Sequence, residues 1–292
     1  MQKRLPPLAL LLIPASIFAV LLWVSKWVVL ERHSGASGTN VVQITTSPGL
    51  HLYPSFSPDG ANIAYSSDRS GRFEIYVQPL TSGAGEVRIT SDGEQNAEPA
   101  WSPDGQNIAY MSELRKGIFV VPATGGTPQR MTRFGTHPSW SPDGAKIAFA
   151  AANIWIVSAE GGQPRPVTQA DHPAGDHVDP SWSSDGMSIL FSTRSTGGSD
   201  VWSVRVREGA VSAVSKRNGS RFSPVYTPDG RSVLYVLATE NGFAVGKTSL
   251  SDGRSYEILP LGATVPRGLT IDRTGRRLAY STGNIYIAEL PR

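Results

Sequence analysis

Cysteine is absent from all 292 residues. No disulfide can staple this chain, no thiol can serve as a nucleophile, and no thiolate can hold a metal. Helical periodicity is absent after the first 40 residues, which excludes a helical solenoid. The Gly-x-Ser-x-Gly elbow, the P-loop, the Gly-x-Gly-x-x-Gly turn and the His-Glu-x-x-His helix are all missing. Hydrolase, nucleotide-binding and zinc-protease chemistry therefore have no motif to stand on, and no cofactor is expected. An excess of one charge is also lacking from residue 41 onward. The formal net charge of +3 is accounted for by Lys3, Arg4, Lys26 and Arg32 against Glu31, so the remainder is neutral. A neutral domain has no electrostatic footprint for nucleic acid.

Glycine and proline, by contrast, are plentiful, at 30 and 22 residues, and point to many turns. At the amino terminus, after four residues, an apolar stretch runs from Leu5 to Leu30 with few polar interruptions. Crossing the hydrocarbon core as a helix takes about 20 apolar residues. Leu8 to Val24 is slightly short, and Trp27 to Leu30 completes it, with Lys26 snorkelling and Trp23 and Trp27 at the interface. The expectation is a short end at 1–4, a single-pass anchor at 5–30 and a polar tether at 31–40. The rival reading is a cleaved leader ending near Ser34-Gly35-Ala36. The apolar region is long for a leader, and charge separates it from that site. Lys3 and Arg4 favour an internal amino terminus, which puts the rest of the chain outside the cytoplasmic membrane.

From residue 41 the chain repeats itself. PSFSPDGANIAYSS from Pro54, PAWSPDGQNIAYMS from Pro99, PSWSPDGAKIAFAA from Pro138 and PSWSSDGMSILFST from Pro180 align, followed by PVYTPDGRSVLYVL from Pro224 and LTIDRTGRRLAYST from Leu269. Their turn glycines, Gly60, Gly105, Gly144, Gly186, Gly230 and Gly275, are separated by 45, 39, 42, 44 and 45 residues. A period of about 42 with several short strands predicts propeller blades. In each unit a short strand with an aromatic residue precedes a Pro-Asp-Gly turn. An apolar triplet such as Ile63-Ala64-Tyr65 follows, buried on both faces between neighbouring blades, then a third strand and an outer strand that often ends in Thr.

The sixth unit ends just after its third strand, and Val42-Gln43-Ile44-Thr45 has the character of the missing outer one. The spacing therefore predicts an all-β, six-bladed β-propeller of four-stranded blades over 41–292. The amino-terminal strand 41–46 completes the last blade, antiparallel to Ile285–Ile287.

The Pro-x-Trp-Ser-Pro-Asp-Gly-x-x-Ile-Ala-Tyr pattern resembles the TolB-type propeller repeat, a WD-like bacterial repeat, over residues 41–292. The resemblance implies the fold strongly and the function weakly, because propellers serve many tasks. TolB itself is a soluble periplasmic protein with an α/β domain before its propeller. Here the apolar segment stands in that place, which makes this chain a membrane-anchored variant.

Three features could carry chemistry. The repeated Asp59, Asp104, Asp143, Asp185 and Asp229 are distributed one per blade and read as turn residues. The tryptophans at matched positions read as packing between blades. The most polar stretch, Asp171 to Asp179, mixes imidazole and carboxylate as a cation site would. Residues just before the inner-strand proline should approach one rim of the channel, so Glu98, His137, Asp176, His177 and Asp179 form the candidate ligand-binding rim. The identity of any metal is left open.

The expected function is that of a membrane-tethered protein-interaction scaffold. The alternatives are a sensor of a small ligand or cation and, less readily, a channel-site enzyme.

Overall fold

The Ser57-Pro58-Asp59-Gly60 segment makes its turn with its own side chains. Asp59 Oδ1 accepts the Ala61 amide at 2.9 Å and the Ser57 hydroxyl at 2.5 Å, while Ser57 Oγ accepts the Asn62 amide at 2.9 Å. Short Asp and Ser side chains satisfy turn amides in this way. The same three bonds recur at Ser102 and Asp104, Ser141 and Asp143, Ser183 and Asp185, and Thr227 and Asp229. In the last repeat the roles are exchanged. Asp272 stands at the Ser position and accepts the Arg276 and Arg277 amides and the Thr274 hydroxyl. Gly105, at φ +74°, lies over Pro58 of the preceding blade, so the turn also sets the spacing between blades.

The computed structural model describes residues 39–81, 85–169, 172–214 and 219–290. The expected anchor at 5–30 and Asp171 lie outside them. Among the described residues 24 strands form six four-stranded antiparallel sheets, and no helix is long and apolar enough to cross a membrane. Blades 1 to 6 begin with inner strands His51–Phe56, Asn96–Trp101, Thr136–Trp140, Asp176–Trp182, Arg221–Tyr226 and Leu269–Ile271. Second, third and outer strands follow in chain order in blades 1 to 5.

Blade 6 takes its outer strand, Val41–Gln43, from the amino-terminal side of the ring. Val42 pairs with Ile287 and Gln43 with Tyr286, antiparallel, and the Ile44 amide continues the ladder to Ile285 O at 2.8 Å. The predicted closure is thus the observed one, with a strand shorter than 41–46. Two residues beyond four of the outer strands stands a buried threonine whose Oγ1 accepts an amide at the start of the third strand at 2.9 Å: Thr45 from Ile285, Thr90 from Ile75, Thr132 from Ile118 and Thr168 from Ile154. Among the described residues no such threonine bond follows the outer strands of blades 4 and 5, Val211–Ala213 and Ser255–Gly262.

The core lies between blades. Ile63, Tyr65 and Tyr76 of blade 1 pack on Ala279, Ile285 and Ile287 of blade 6, while Ala64, Ile75 and Val77 face Ile108, Tyr110 and Phe119 of blade 2. The second strand is therefore apolar on both faces. Each fully buried Ile or Tyr removes apolar surface worth roughly 1.5–3 kcal/mol. The indole N–H groups of Trp140 and Trp182 donate to Ala100 O and Ser139 O of the preceding blade, at 3.1 and 3.2 Å, in the packing role expected of them.

Candidate functional site

Proline has no N–H to give a ladder, yet the inner strands of blades 1 to 5 each hold one, Pro54, Pro99, Pro138, Pro180 and Pro224. The structure accommodates it with a bulge. In blade 2, Ala97 faces Met111 and Ala100 faces Ala109, so three steps on the inner strand match two on its neighbour. Blades 1, 3, 4 and 5 slip at the same place. The residue before each proline is left-handed: Tyr53 at φ 57°, Glu98 at 59°, His137 at 52°, Asp179 at 54° and Ser223 at 51°. Gly268 occupies the position in blade 6, at φ 79°. A non-glycine residue held there costs about 1–3 kcal/mol, and such strain gathers at functional sites.

This ring lines one mouth of the channel. His137 Nε2 lies 3.2 Å from Glu98 Oε1 and 3.2 Å from Asp179 Oδ1, joining blades 2, 3 and 4. The other carboxylate oxygens are held by the next blade along. Glu98 Oε2 accepts the His137 amide at 2.6 Å, and Asp179 Oδ2 accepts the Ser223 amide at 3.0 Å. His137 Nδ1 lies 2.9 Å from Thr136 Oγ1. With two carboxylates opposite it, Nε2 carries a proton and donates toward them.

The Tyr53 ring meets His137 edge-on across the channel, with centroids 6.2 Å apart. Burial raises the Tyr53 phenol above its ordinary range, and Glu98 and Asp179 push the same way. The charge of Arg267 and its hydrogen bond to the phenol oppose them. Above the ring a mouth cavity of about 430 Å³ reaches Phe222, Val265, Arg194 and Arg267. Below it, small Ser and Pro side chains of the inner strands line a channel cavity of about 340 Å³.

Of the five expected rim residues, the structure brings three together, Glu98, His137 and Asp179. The other two need correction. Asp176 begins its strand exposed, and His177 is fully buried. His177 Nδ1 meets Thr168 Oγ1 and Nε2 meets Pro173 O, both at 2.7 Å, and its ring packs on Phe191 at 4.7 Å. It pins blade 4 to the outer strand of blade 3. The reason is its place in the repeat, two residues before the left-handed position. Buried His51, Asn96 and Arg221 occupy that place in blades 1, 2 and 5.

Sequence reasoning missed Tyr53 and Ser223, although both precede an inner-strand proline as Glu98 does. Arg194 and Arg267 carried no local signal. Among the described residues no group of three or more His, Asp or Glu side chains is arranged to hold a metal ion.

Comparison with known proteins places this geometry. The chain matches the TolB beta propeller domain over residues 34–127 and 132–266. The Tol-Pal system protein TolB of Bordetella pertussis is 49% identical over 43 residues, 15% of this chain and 10% of that protein. The chain thus aligns with only a tenth of the length of that relative. Among solved structures, a protein described as TolB from Agrobacterium tumefaciens superimposes with a TM-score of 0.68 at 21% identity, covering 87% of this chain and 98% of that one. A gluconolactonase from Xanthomonas campestris reaches the same TM-score at 13% identity, covering 87% and 90%. Likeness at that identity speaks for the fold and not for the activity. The domain match, which runs through the repeats that build the bulged inner strands, carries the assignment: this chain belongs to the TolB β-propeller family.

Proposed function

We propose that this chain is a non-catalytic protein-interaction propeller, tethered to the bacterial cytoplasmic membrane by its 5–30 segment and working on the outer side, with the channel mouth as its docking locus. One observation carries the reading. Five non-glycine residues are held in a strained left-handed conformation so that their side chains meet at one mouth, and three of them are an imidazole between two carboxylates. The core explains none of that polarity. A scaffold that gathers charge, aromatic rings and apolar side chains at one open end offers the composition of a protein hot spot. The TolB relative is named as a component of a Tol-Pal system, which agrees with work through protein partners. A small-ligand sensor is the second reading, favoured by the size of the mouth cavity, about 430 Å³.

The test is photo-crosslinking in cells from a reactive residue at position 199, on the mouth, and at position 254, on the turn face. Docking at the mouth yields a protein adduct from 199 that is lost with Glu98→Gln/Asp179→Asn and absent from 254. Equal adducts from both positions, or an adduct at 199 indifferent to the double substitution, would overturn the reading.

A further inference from the structure

Donors and acceptors at the floor of the mouth do not balance. Glu98 Oε2 is filled by the His137 amide and Asp179 Oδ2 by the Ser223 amide. That leaves Glu98 Oε1 and Asp179 Oδ1 sharing the single proton of His137 Nε2, each at 3.2 Å, which is long for a bond to a carboxylate. Both carboxylates are sunk into the floor, with 9% and 18% of their side chains exposed. Two carboxylate oxygens on one N–H donor leave room for a cation that brings several more.

Charge changes sign with depth. The acids lie at the floor, while Arg194 and Arg267 are exposed at the edge of the same cavity. Val178, Phe222 and Val265 supply an apolar wall beside them. A fitting ligand therefore leads with a cation, carries an acceptor a bond or two behind it, and has a side chain to lay on the wall. A lysine head fails the second condition, because four methylenes follow it. The amino terminus of a polypeptide meets all three, with an α-ammonium of three donors, a carbonyl two bonds away and the first side chain between.

Resting on the reading of the mouth as a protein docking locus, we propose that it captures the free amino terminus of a partner polypeptide. The α-ammonium lies between Glu98 Oε1 and Asp179 Oδ1, and the first carbonyl faces Arg267. Capture of a chain terminus by a few convergent polar groups is an established mode of peptide recognition.

The experiment uses the full chain in detergent and four probes: alanyl-alanyl-alanine amide, its N-acetyl form, alanine amide and free alanine. Binding is read by saturation-transfer NMR on the methyl groups. The free tripeptide amide should bind saturably, and acetylation should weaken it about tenfold or more, since it removes the charge-assisted bonds. Glu98→Gln/Asp179→Asn should weaken it by roughly 10- to 100-fold, and Arg267→Gln by less. Glu160→Gln, exposed on the turn that follows Asn153–Ser158 at the opposite end of blade 3, should change nothing, and an unaltered melting temperature would show that the variants fold.

Equal binding of the acetylated and free tripeptides would overturn terminus capture while leaving docking at the mouth intact. Free alanine binding as tightly as the tripeptide amide would overturn the polypeptide source and favour a free amino acid. No saturable binding of the free tripeptide would overturn the inference outright, while the position-199 adduct still judges docking by itself.

Discussion

The hydroxyl of Thr45 accepts the backbone N–H of Ile285 at 2.9 Å, between residues 240 positions apart. The matching bonds of Thr90, Thr132 and Thr168 span only 14 or 15 positions. One local device, used elsewhere to fasten an outer strand to its own blade, here joins the two ends of the ring. No cysteine can reinforce it. A chain beginning at Ser47 should therefore melt several degrees below one beginning at Ser37, and should aggregate through the exposed edge of Ile285–Glu289. Thr45→Val, which leaves the Ile285 amide buried without its acceptor, should cost about 1–3 kcal/mol. Calorimetry on the three proteins checks this, and equal melting temperatures would show that the ring is held elsewhere.

The bulged ring makes Gly268 sensitive to a single methyl group. At φ +79° an added Cβ would lie 2.9 Å from Tyr53 Cα and 3.2 Å from Pro54 Cδ. Backbone cannot step aside as a flexible side chain can. Gly71 has a similar conformation, φ +94°, with nothing within 4 Å of an added Cβ. Gly71→Ala should cost about 1 kcal/mol, the conformational cost alone, and Gly268→Ala clearly more, about 2–3 kcal/mol. Urea denaturation of the pair separates the steric share from the conformational one.

Acid should destabilise the fold in two windows. Burial lowers the affinity of His177 for a proton, outweighing the Pro173 carbonyl and Asp176, which act the other way. The unfolded chain then binds a proton that the native state refuses, so stability is full above the ordinary histidine value of about 6.5 and falls as pH drops through it. His177→Gln should flatten that slope. The turn carboxylates Asp59, Asp104, Asp143, Asp185 and Asp229 are held below the ordinary value of 3.8, first by a Ser or Thr hydroxyl and then by a backbone amide. Their contribution is present above 3.8 and is lost as pH falls below it. All five are mostly exposed, so each effect is small and screened, but they add with one sign. Melting temperatures of the wild type and His177→Gln from pH 8 to pH 2 test both windows.

Membrane attachment through Leu5 to Leu30 has a direct check. The full chain should sediment with membranes and resist extraction by high salt, whereas a chain beginning near Ser34 should be soluble. A mature protein whose first residue lies near Ser37 would replace the anchor with a cleaved leader.

Within the site, the repeat showed that the residue before each inner-strand proline belongs at the rim, and Glu98, His137 and Asp179 meet there. The same position should have drawn attention to Tyr53 and Ser223, whose aromatic ring and small hydroxyl gave no hint of a shared role. Asp176 and His177 looked equivalent to Asp179 because polarity in a sequence has no direction. One bulge separates an imidazole that faces the axis from one that pins two blades.

The number of blades, their turns and the borrowed closing strand were legible in the chain alone. Each rests on a local pattern repeated six times: hydrogen bonds between residues two to five apart, and apolar triplets that need a neighbour on both faces. Which polar side chains converge was decided only by closing the ring. Glu98, His137 and Asp179 lie about 40 residues apart in the chain, and only the bulge and its left-handed backbone bring three blades to within 3.2 Å at one imidazole nitrogen.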